Sequence, residues 1–375
     1  MKRSIWVGCV IVLVAMIAVV LGWQLRSYDE APDSGYAGLG ESAGGFAEAG
    51  PDVELQFPID HGPHPDYRIE WWYLTANLEA ENGRPFGVQW TLFRQALAPP
   101  NTLAVRDSRW SSRQLWMAHA AVSTPDEHYF AERFARGGIE QAGVSVTPFV
   151  AWIDGWSLMA PPPAAGLDRL EVNAAGEDFG YRLQLTAEGP LVRHGNDGFS
   201  QKSADGQGSM YYSQPFYRVT GTLRVEGKSI DVAGRAWLDR EWSSQLLGPH
   251  QSGWDWFSLH FANGAKLMAF RLRGGAESGG NYLSGSWISP DGEVTPLGSN
   301  EGGDELRLTP LETSQVAGRQ LPTLWRVEVP GRGLDVEVRV RHPNQWMGTS
   351  FAYWEGMVAA EGSHSGVGYL EMTGY

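Results

Sequence analysis

Five times along this chain, two short runs of alternating apolar and polar residues flank a turn signal that suits an antiparallel hairpin. Residues 71–79 and 86–95 flank Glu81-Asn82-Gly83, and residues 257–261 and 266–273 flank Asn263-Gly264. Residues 217–225 and 229–238 flank Glu226-Gly227-Lys228. Pro290-Asp291-Gly292 separates 286–289 from 293–297, and Pro330-Gly331-Arg332-Gly333 separates 325–329 from 334–341. Asn-Gly pairs supply the positive φ angles that right-twisted strands demand of a tight turn. Period two places successive side chains on opposite faces of a sheet. After residue 54 helical periodicity is almost absent. The chain has 47 glycines, 17 tryptophans and only 19% charged residues in 375, which points the same way. The expected fold is all-β, built of antiparallel barrels.

A weak internal repeat divides that fold in two. Glu70-Trp71-Trp72-Tyr73-Leu74 opens the first long hairpin, and Trp254-Asp255-Trp256-Phe257-Ser258-Leu259 opens a similar one. Gly234-Arg235-Ala236-Trp237-Leu238-Asp239 has the same pattern as Gly366-Val367-Gly368-Tyr369-Leu370-Glu371. Each half begins with an aromatic–acid strand and ends with a Gly-x-small-aromatic-Leu-acid strand. The expected barrels are residues 54–245 and 246–375, joined where Gly248-Pro249 interrupts the pattern.

The N-terminus has a different character. Met1-Lys2-Arg3 precedes an uncharged run over residues 4–23, and Asp29, Glu30 and Asp33 follow it. Twenty helical residues span about 30 Å, the thickness of a bilayer core. Residues 1–26 are therefore expected to anchor the chain in the inner membrane, with the folded part outside the cytoplasm. The alternative is secretion after signal cleavage. The run exceeds the ~7–15 residues of a signal core, and Gly22-Trp23-Gln24-Leu25 is a poor cleavage site. Residues 27–53 read as a flexible linker. Gly40-Glu41-Ser42-Ala43-Gly44 in that linker fits G-x-S-x-G but lacks the strand and helix of a nucleophile elbow.

A net charge of −14 excludes an electrostatic nucleic-acid binder. Cys9 is the only cysteine, so disulfides within the chain and cysteine-held metals are excluded. His61 and His64 have no third ligand at a motif spacing, and H-E-x-x-H is absent. Neither a metal nor a cofactor is expected.

Three stretches carry the chemistry. Asp60-His61-Gly62-Pro63-His64-Pro65-Asp66-Tyr67-Arg68-Ile69-Glu70-Trp71-Trp72-Tyr73 is the densest. Either it lines a site, or His61 and Arg68 merely tie its loop to a barrel rim. Within the strand, Glu70 and Trp72 share one face, and Trp71 and Tyr73 the other. In Trp237-Leu238-Asp239-Arg240-Glu241-Trp242-Ser243, Asp239 and Glu241 share a face. Two carboxylates so close repel in a low dielectric, so one would hold its proton. The competing reading is a structural corner neutralised by Arg240. In Gly253-Trp254-Asp255-Trp256, Asp255 stands between two tryptophans. An acid beside aromatic faces suits protonation of an electron-rich double bond. A turn-capping aspartate is the plainer alternative. Weaker signals are His119, which also reads as a satisfied interior histidine, and Tyr353-Trp354-Glu355-Gly356.

Taken with Gln89-Trp90-Thr91-Leu92-Phe93-Arg94, Met117-Ala118-His119-Ala120 and the closing stretch 366–375, these motifs resemble the AttH-type, lipocalin-like exported proteins. That family is often called secreted hydrolases and is related to carotenoid 1,2-hydratases. The resemblance spans roughly residues 54–375. It implies two lipocalin-like barrels with a ligand cavity between or within them. In the hydratase branch a histidine follows the aspartate of the second motif. Here that residue is Arg240, and a guanidinium is no general acid at neutral pH. Arg240 is instead expected to hold a carboxylate ionised or to grip an anionic head group.

The expected function is acid-assisted addition of water to a hydrophobic, lipid- or isoprenoid-like substrate. Asp239, Glu241 and Asp255 are the expected proton-handling groups. Trp71, Trp72, Tyr73, Arg240, Trp242, Trp254, Trp256, His61, Glu70 and His119 are the expected binding residues. The rival is a lipid carrier without chemistry that serves an envelope export transporter. A carrier needs no perturbed acid, whereas an enzyme does.

Overall fold

The computed structural model describes residues 44–100, 112–138, 140–248, 250–275, 280–299 and 302–375. The apolar run at 4–23 and the residues of the G-x-S-x-G match before Gly44 lie outside the described residues. Among those described, no helix is long and apolar enough to cross a membrane.

The fold is two curled antiparallel sheets, one a nearly closed barrel and the other a half-barrel. The first sheet holds β1 (Ile69–Ala80), β2 (Pro85–Ala96), β3 (Gln114–Ser123), β4 (His128–Arg136), β5 (Ala142–Val146), β6 (Phe149–Ile153) and β7 (Trp156–Met159). It continues with β8 (Arg169–Ala175), β9 (Phe179–Ala187), β10 (Val192–Arg193), β11 (Phe199–Gln201), β12 (Gly208–Val225) and β13 (Lys228–Ser243). The second holds β14 (Gln251–Phe261), β15 (Lys266–Gly274), β16 (Tyr282–Ile288), β17 (Val294–Gly298) and β18 (Arg307–Val316). It closes with β19 (Arg319–Val329), β20 (Leu334–Val340), β21 (Trp346–Met347), β22 (Tyr353–Gly362) and β23 (Gly366–Met372). All five expected hairpins form. Gly83 and Gly264 take φ of 79° and 89° in their turns, a region open to glycine at little cost.

The two sheets repeat one plan. The first runs β4-β3-β2-β1-β13-β12-β9-β8-β7 and continues to β6-β5, and the second runs β17-β16-β15-β14-β23-β22-β20-β19-β18. Register matches as well. Tyr73 pairs with Asp239 and Leu74 with Leu238, just as Trp256 pairs with Glu371 and Phe257 with Leu370. The sequence repeat is thus a structural one, with Asp239 and Glu371 as counterparts.

Burial along the strands shows where the sheets meet. β20 alternates buried Leu, Val, Val and Val with exposed Asp, Glu and Arg, so one face packs and one meets water. β13 begins in a similar way, but its last eight residues, from Ala236 to Ser243, are all buried. Both faces of that stretch are covered. One face joins the core of the first sheet, with Trp72, Leu74, Trp90, Leu92, Trp156 and Trp242. The other lies against the second sheet, whose own core gathers Phe257, Leu259, Trp325, Val327, Val338 and Leu370. The approach is close at Gly87, where a Cβ would collide with the Tyr369 hydroxyl and Met357.

Candidate functional site between the sheets

Strand alternation sorts the expected site residues into three groups. Glu70, Trp72, Arg240 and Trp242 point into the core of the first sheet. Trp71, Tyr73, His119, Asp239, Glu241, Trp254 and Trp256 point toward the space between the sheets. Asp255 points into the core of the second sheet.

The first group is a buried ionic clasp. Glu70 accepts hydrogen bonds from the Arg94 and Arg240 guanidinium groups and, at 3.0 Å, from the His64 backbone N–H. Burial opposes its ionisation, but Arg240, Arg94 and His64 outweigh burial and hold the carboxyl well below its usual range. Arg240 lies 3.8 Å over the Trp72 ring and also donates to Gly62 O, and His64 stacks on Trp242 at 3.8 Å. His61 is buried against Phe57, and its Nδ1 lies 2.7 Å from the Tyr212 hydroxyl. Burial, aided by Arg240, pushes His61 down to about 4, so it is neutral at pH 7. These residues tie the loop before β1 to the barrel. Arg240 holds a carboxylate ionised, as expected. Trp242, expected in a ligand cavity, is instead a core residue, because it lies on the Arg240 side of β13.

Asp255 is corrected for the same reason. Trp254 and Trp256 point to the opposite face, so no aromatic box encloses it. It accepts from Arg271 Nη2 at 2.7 Å, Arg273 Nη1 at 3.0 Å and the Tyr375 hydroxyl at 2.6 Å. This cluster ties the chain end to β14.

Between the sheets, carboxyls gather, and among the described residues Lys202 pairs with one of them, Glu241. Asp239 accepts from the Tyr211 hydroxyl at 2.9 Å, Trp237 Nε1 at 2.6 Å and the Ser213 hydroxyl. All three donors are neutral. Burial, reinforced by the Glu241 charge, raises Asp239 to about 7 against those donors. Glu241 differs, because Lys202 Nζ stands 3.0 Å from it. Asp239 and Glu241 therefore differ in surroundings: among the described residues Glu241 is paired with a cation and Asp239 is not.

Two further acids complete the cluster. Glu371, the repeat counterpart of Asp239, is half-buried and accepts from Trp254 Nε1 at 2.5 Å. Burial, with the charges of Asp239 and Glu241, raises it to about 7. Glu355 on β22 is 1% exposed and accepts the Tyr73 hydroxyl proton at 2.6 Å. Burial and the Glu371 charge push it well above its usual range. Neither was among the expected site residues. The signal for Glu371 was the repeat itself, and that for Glu355 was its aromatic neighbours Tyr353 and Trp354.

Rows of side chains on the first sheet give the site its shape. Asp239, Tyr73, Thr91, His119 and Glu132 stand opposite one another across β13, β1, β2, β3 and β4. The next row in the same register is Glu241, Trp71, Phe93, Met117 and Phe134. Trp71, Phe93 and Met117 in it are half-buried, and Phe134 is exposed. An apolar ledge thus runs beside a polar, proton-bearing row. On the second sheet Trp256 Nε1 donates to the Tyr211 hydroxyl at 3.1 Å, and Trp254 stacks on Phe351. Among the described residues, no group of three or more His, Cys, Asp or Glu is placed to hold a metal ion.

The AttH-like family model matches residues 48–375. The crystal structure of an AttH candidate from Nitrosomonas europaea is 32% identical, with a TM-score of 0.76, covering 88% of this chain and all of that one. Kievitone hydratase from Nectria haematococca is 15% identical, with a TM-score of 0.65, covering 88% of this chain and 96% of its own. CghA is 14% identical, with a TM-score of 0.52 and coverages of 89% and 97%. At those identities the last two show likeness of fold. No curated protein has a matching sequence.

Proposed function

The chain belongs to the AttH-like family, and from that premise we propose a hydratase- or hydrolase-like enzyme that adds water to an apolar, lipid- or isoprenoid-like substrate. The observation that carries this reading is the set of carboxyls that have no cationic partner among the described residues, Asp239, Glu355 and Glu371, beside an aromatic ledge. A merely structural layer gains nothing from uncompensated buried acids, which lower stability near neutral pH. Asp239 and Glu371, each raised to about 7, suit proton transfer at that pH. The fold likeness to a protein named as a hydratase supports the same reaction class.

The proposed step begins with a substrate lying along Trp71, Phe93 and Trp254. A protonated carboxyl, Glu371 or Asp239, gives its proton to one carbon of a double bond, whose π electrons form the new C–H bond. The neighbouring carbon becomes cationic and is sheltered by indole faces. Water forms the C–O bond, and its surplus proton goes to an ionised carboxylate of the cluster. Atoms and charge balance, and the acids return to their starting states by passing one proton between them. Glu241 and Asp255 are not the donors in this scheme, because each is paired to a cation.

The substrate class and the site are tested together. Native mass spectrometry of protein purified from its own membranes identifies what is bound, and that compound becomes the assay substrate. Asp239→Asn and Glu371→Gln keep shape but lose the transferable proton. At least one is expected to lower turnover by ~10²–10⁴ with binding retained. Undiminished turnover in both refutes the acid role. Binding without product in wild type favours the carrier. The apolar run at 4–23 is proposed to anchor the enzyme in the inner membrane, facing outward. Full-length protein should then resist carbonate extraction, whereas residues 44–375 should be released.

A further inference from the structure

The acids between the sheets recycle one proton among themselves in each turnover, but the proton that first loads them must come from solvent. One chain of polar side chains reaches from the surface into that layer. Glu132 on edge strand β4 has a side chain 19% exposed, and both its oxygens meet Ser350. Its Oε1 is 3.1 Å from Nε2 of His119, which is fully buried. His119 Nδ1 is 3.0 Å from the Tyr353 hydroxyl. Glu355 lies two residues further along β22, so its side chain shares the face of Tyr353. Tyr73 holds Oε1 of Glu355, while Oε2 is buried with no hydrogen-bond partner among the described residues.

We propose that Glu132, His119 and Tyr353 form a proton path from the protein surface to Glu355. The proposal rests on the reading that the buried acids donate protons, and it adds how that layer takes its protons from solvent. Water protonates Glu132. Glu132 hands that proton to Nε2 of His119 in its Nδ1–H tautomer. The Nδ1 proton passes to the Tyr353 oxygen as the tyrosine's own proton moves to the Glu355 carboxyl, with which that hydroxyl interacts. One proton enters at Glu132 and one arrives at Glu355; the phenol is unchanged, and the imidazole keeps its charge but ends in its Nε2–H tautomer, from which it must return before the next transfer. An imidazole suits this task because it accepts at one nitrogen while donating from the other. Gln89, whose Nε2 donates to the Tyr353 hydroxyl at 3.3 Å, keeps that hydroxyl aimed across the strands. Glu132, His119 and Tyr353 are positioning residues in this account and touch no substrate.

The test needs no substrate. Full-length protein is moved from H2O into D2O, and the infrared C=O band of the protonated buried carboxyl is followed in time. Glu355→Gln identifies the band by removing it. Tyr353→Phe, His119→Leu and Glu132→Gln are each expected to slow the exchange by about 10²-fold, the scale of a positioned proton-transfer group. Added imidazole is expected to restore the rate in His119→Gly. Tyr353→Phe loses one oxygen and Glu132→Gln lies at an edge, so both keep the test decisive if His119 variants do not fold. Exchange as fast as wild type in all folded variants overturns the path. So does a wild-type protein at pH 7 without the Glu355 band. Loss of turnover in Asp239→Asn or Glu371→Gln with unaltered exchange sinks the path alone. Slowed exchange with undiminished turnover in those variants sinks the enzyme reading alone.

Discussion

Glu70 and Asp239 sit on adjacent, hydrogen-bonded strands, and both are almost wholly buried. Yet the fold shifts their pKa values in opposite directions, Glu70 down and Asp239 up. Glu70 faces the first core, where two guanidinium groups bind it, and it is held ionised. Asp239 faces the second sheet, where Ser213, Trp237 and Tyr211 offer only neutral donors, and it is raised to about 7. Burial is common to both, so burial does not decide. A cation partner does, because desolvation penalises a lone charge and a neighbouring opposite charge repays that penalty. One face of the same strand pair is thereby an ionic clasp, and the other holds a carboxyl that keeps its proton to higher pH.

The largest effect that can break this comparison is loss of the clasp. Glu70→Gln leaves Arg94 and Arg240 buried without a counter-charge, and unfolding in urea is expected to show a loss of ~3–5 kcal/mol. A loss below about 1 kcal/mol would mean that the clasp is no more than packing.

A smaller, pH-dependent effect is expected at Asp239. Its folded-state pKa is raised to about 7, so the folded protein binds this proton more tightly than the unfolded chain does. The stabilisation is complete below the unfolded value near 4 and is lost as pH rises through about 7. Asp239→Asn has no such term. The melting temperature of the variant minus that of wild type should climb from about pH 5 to about pH 8. Taking the difference cancels the buried neutral histidines. His61, pushed down to about 4, and His194 and His260, pushed down to about 3, act in the other direction and weaken the fold as pH falls below the usual histidine range. A flat difference would place Asp239 with Glu70 as an ionised group.

The smallest effect serves as the baseline. Arg84 and Asp126 pair at 3.0 Å with side chains 46% and 76% exposed. Arg84→Ala is expected to change stability by less than about 1 kcal/mol, since water and salt screen such a pair. A larger change would weaken the claim that burial gives the Glu70 clasp its strength.

Much of the fold was legible because hairpins are local. Asn82-Gly83, Asn263-Gly264 and Pro290-Asp291-Gly292 announce their turns within a few residues, and alternation then fixes which side chains share a face. That reasoning separated Trp71 and Tyr73 from Glu70 and Trp72, and Asp239 from Arg240. It went astray at Asp255 and Trp242. There the pattern showed an acid beside aromatic residues, but neighbours in sequence on a strand point apart. The Tyr353–Gly356 stretch gives only a weak signal for Glu355, because its partner Tyr73 lies 282 residues away.

The sequence by itself determined an all-β chain, its hairpins, its internal repeat and the sorting of each strand into two faces, because these follow from period-two geometry and turn chemistry. Which face became core and which became the layer between sheets was decided only by the tertiary structure. So was the charge of each acid. Arg240 reaches Glu70 across 170 positions, and Asp239 receives no cation from anywhere in the described chain. A carboxyl's protonation depends on the charges within a few ångströms of it, and in an antiparallel sheet those are set by strand pairing over long sequence separations.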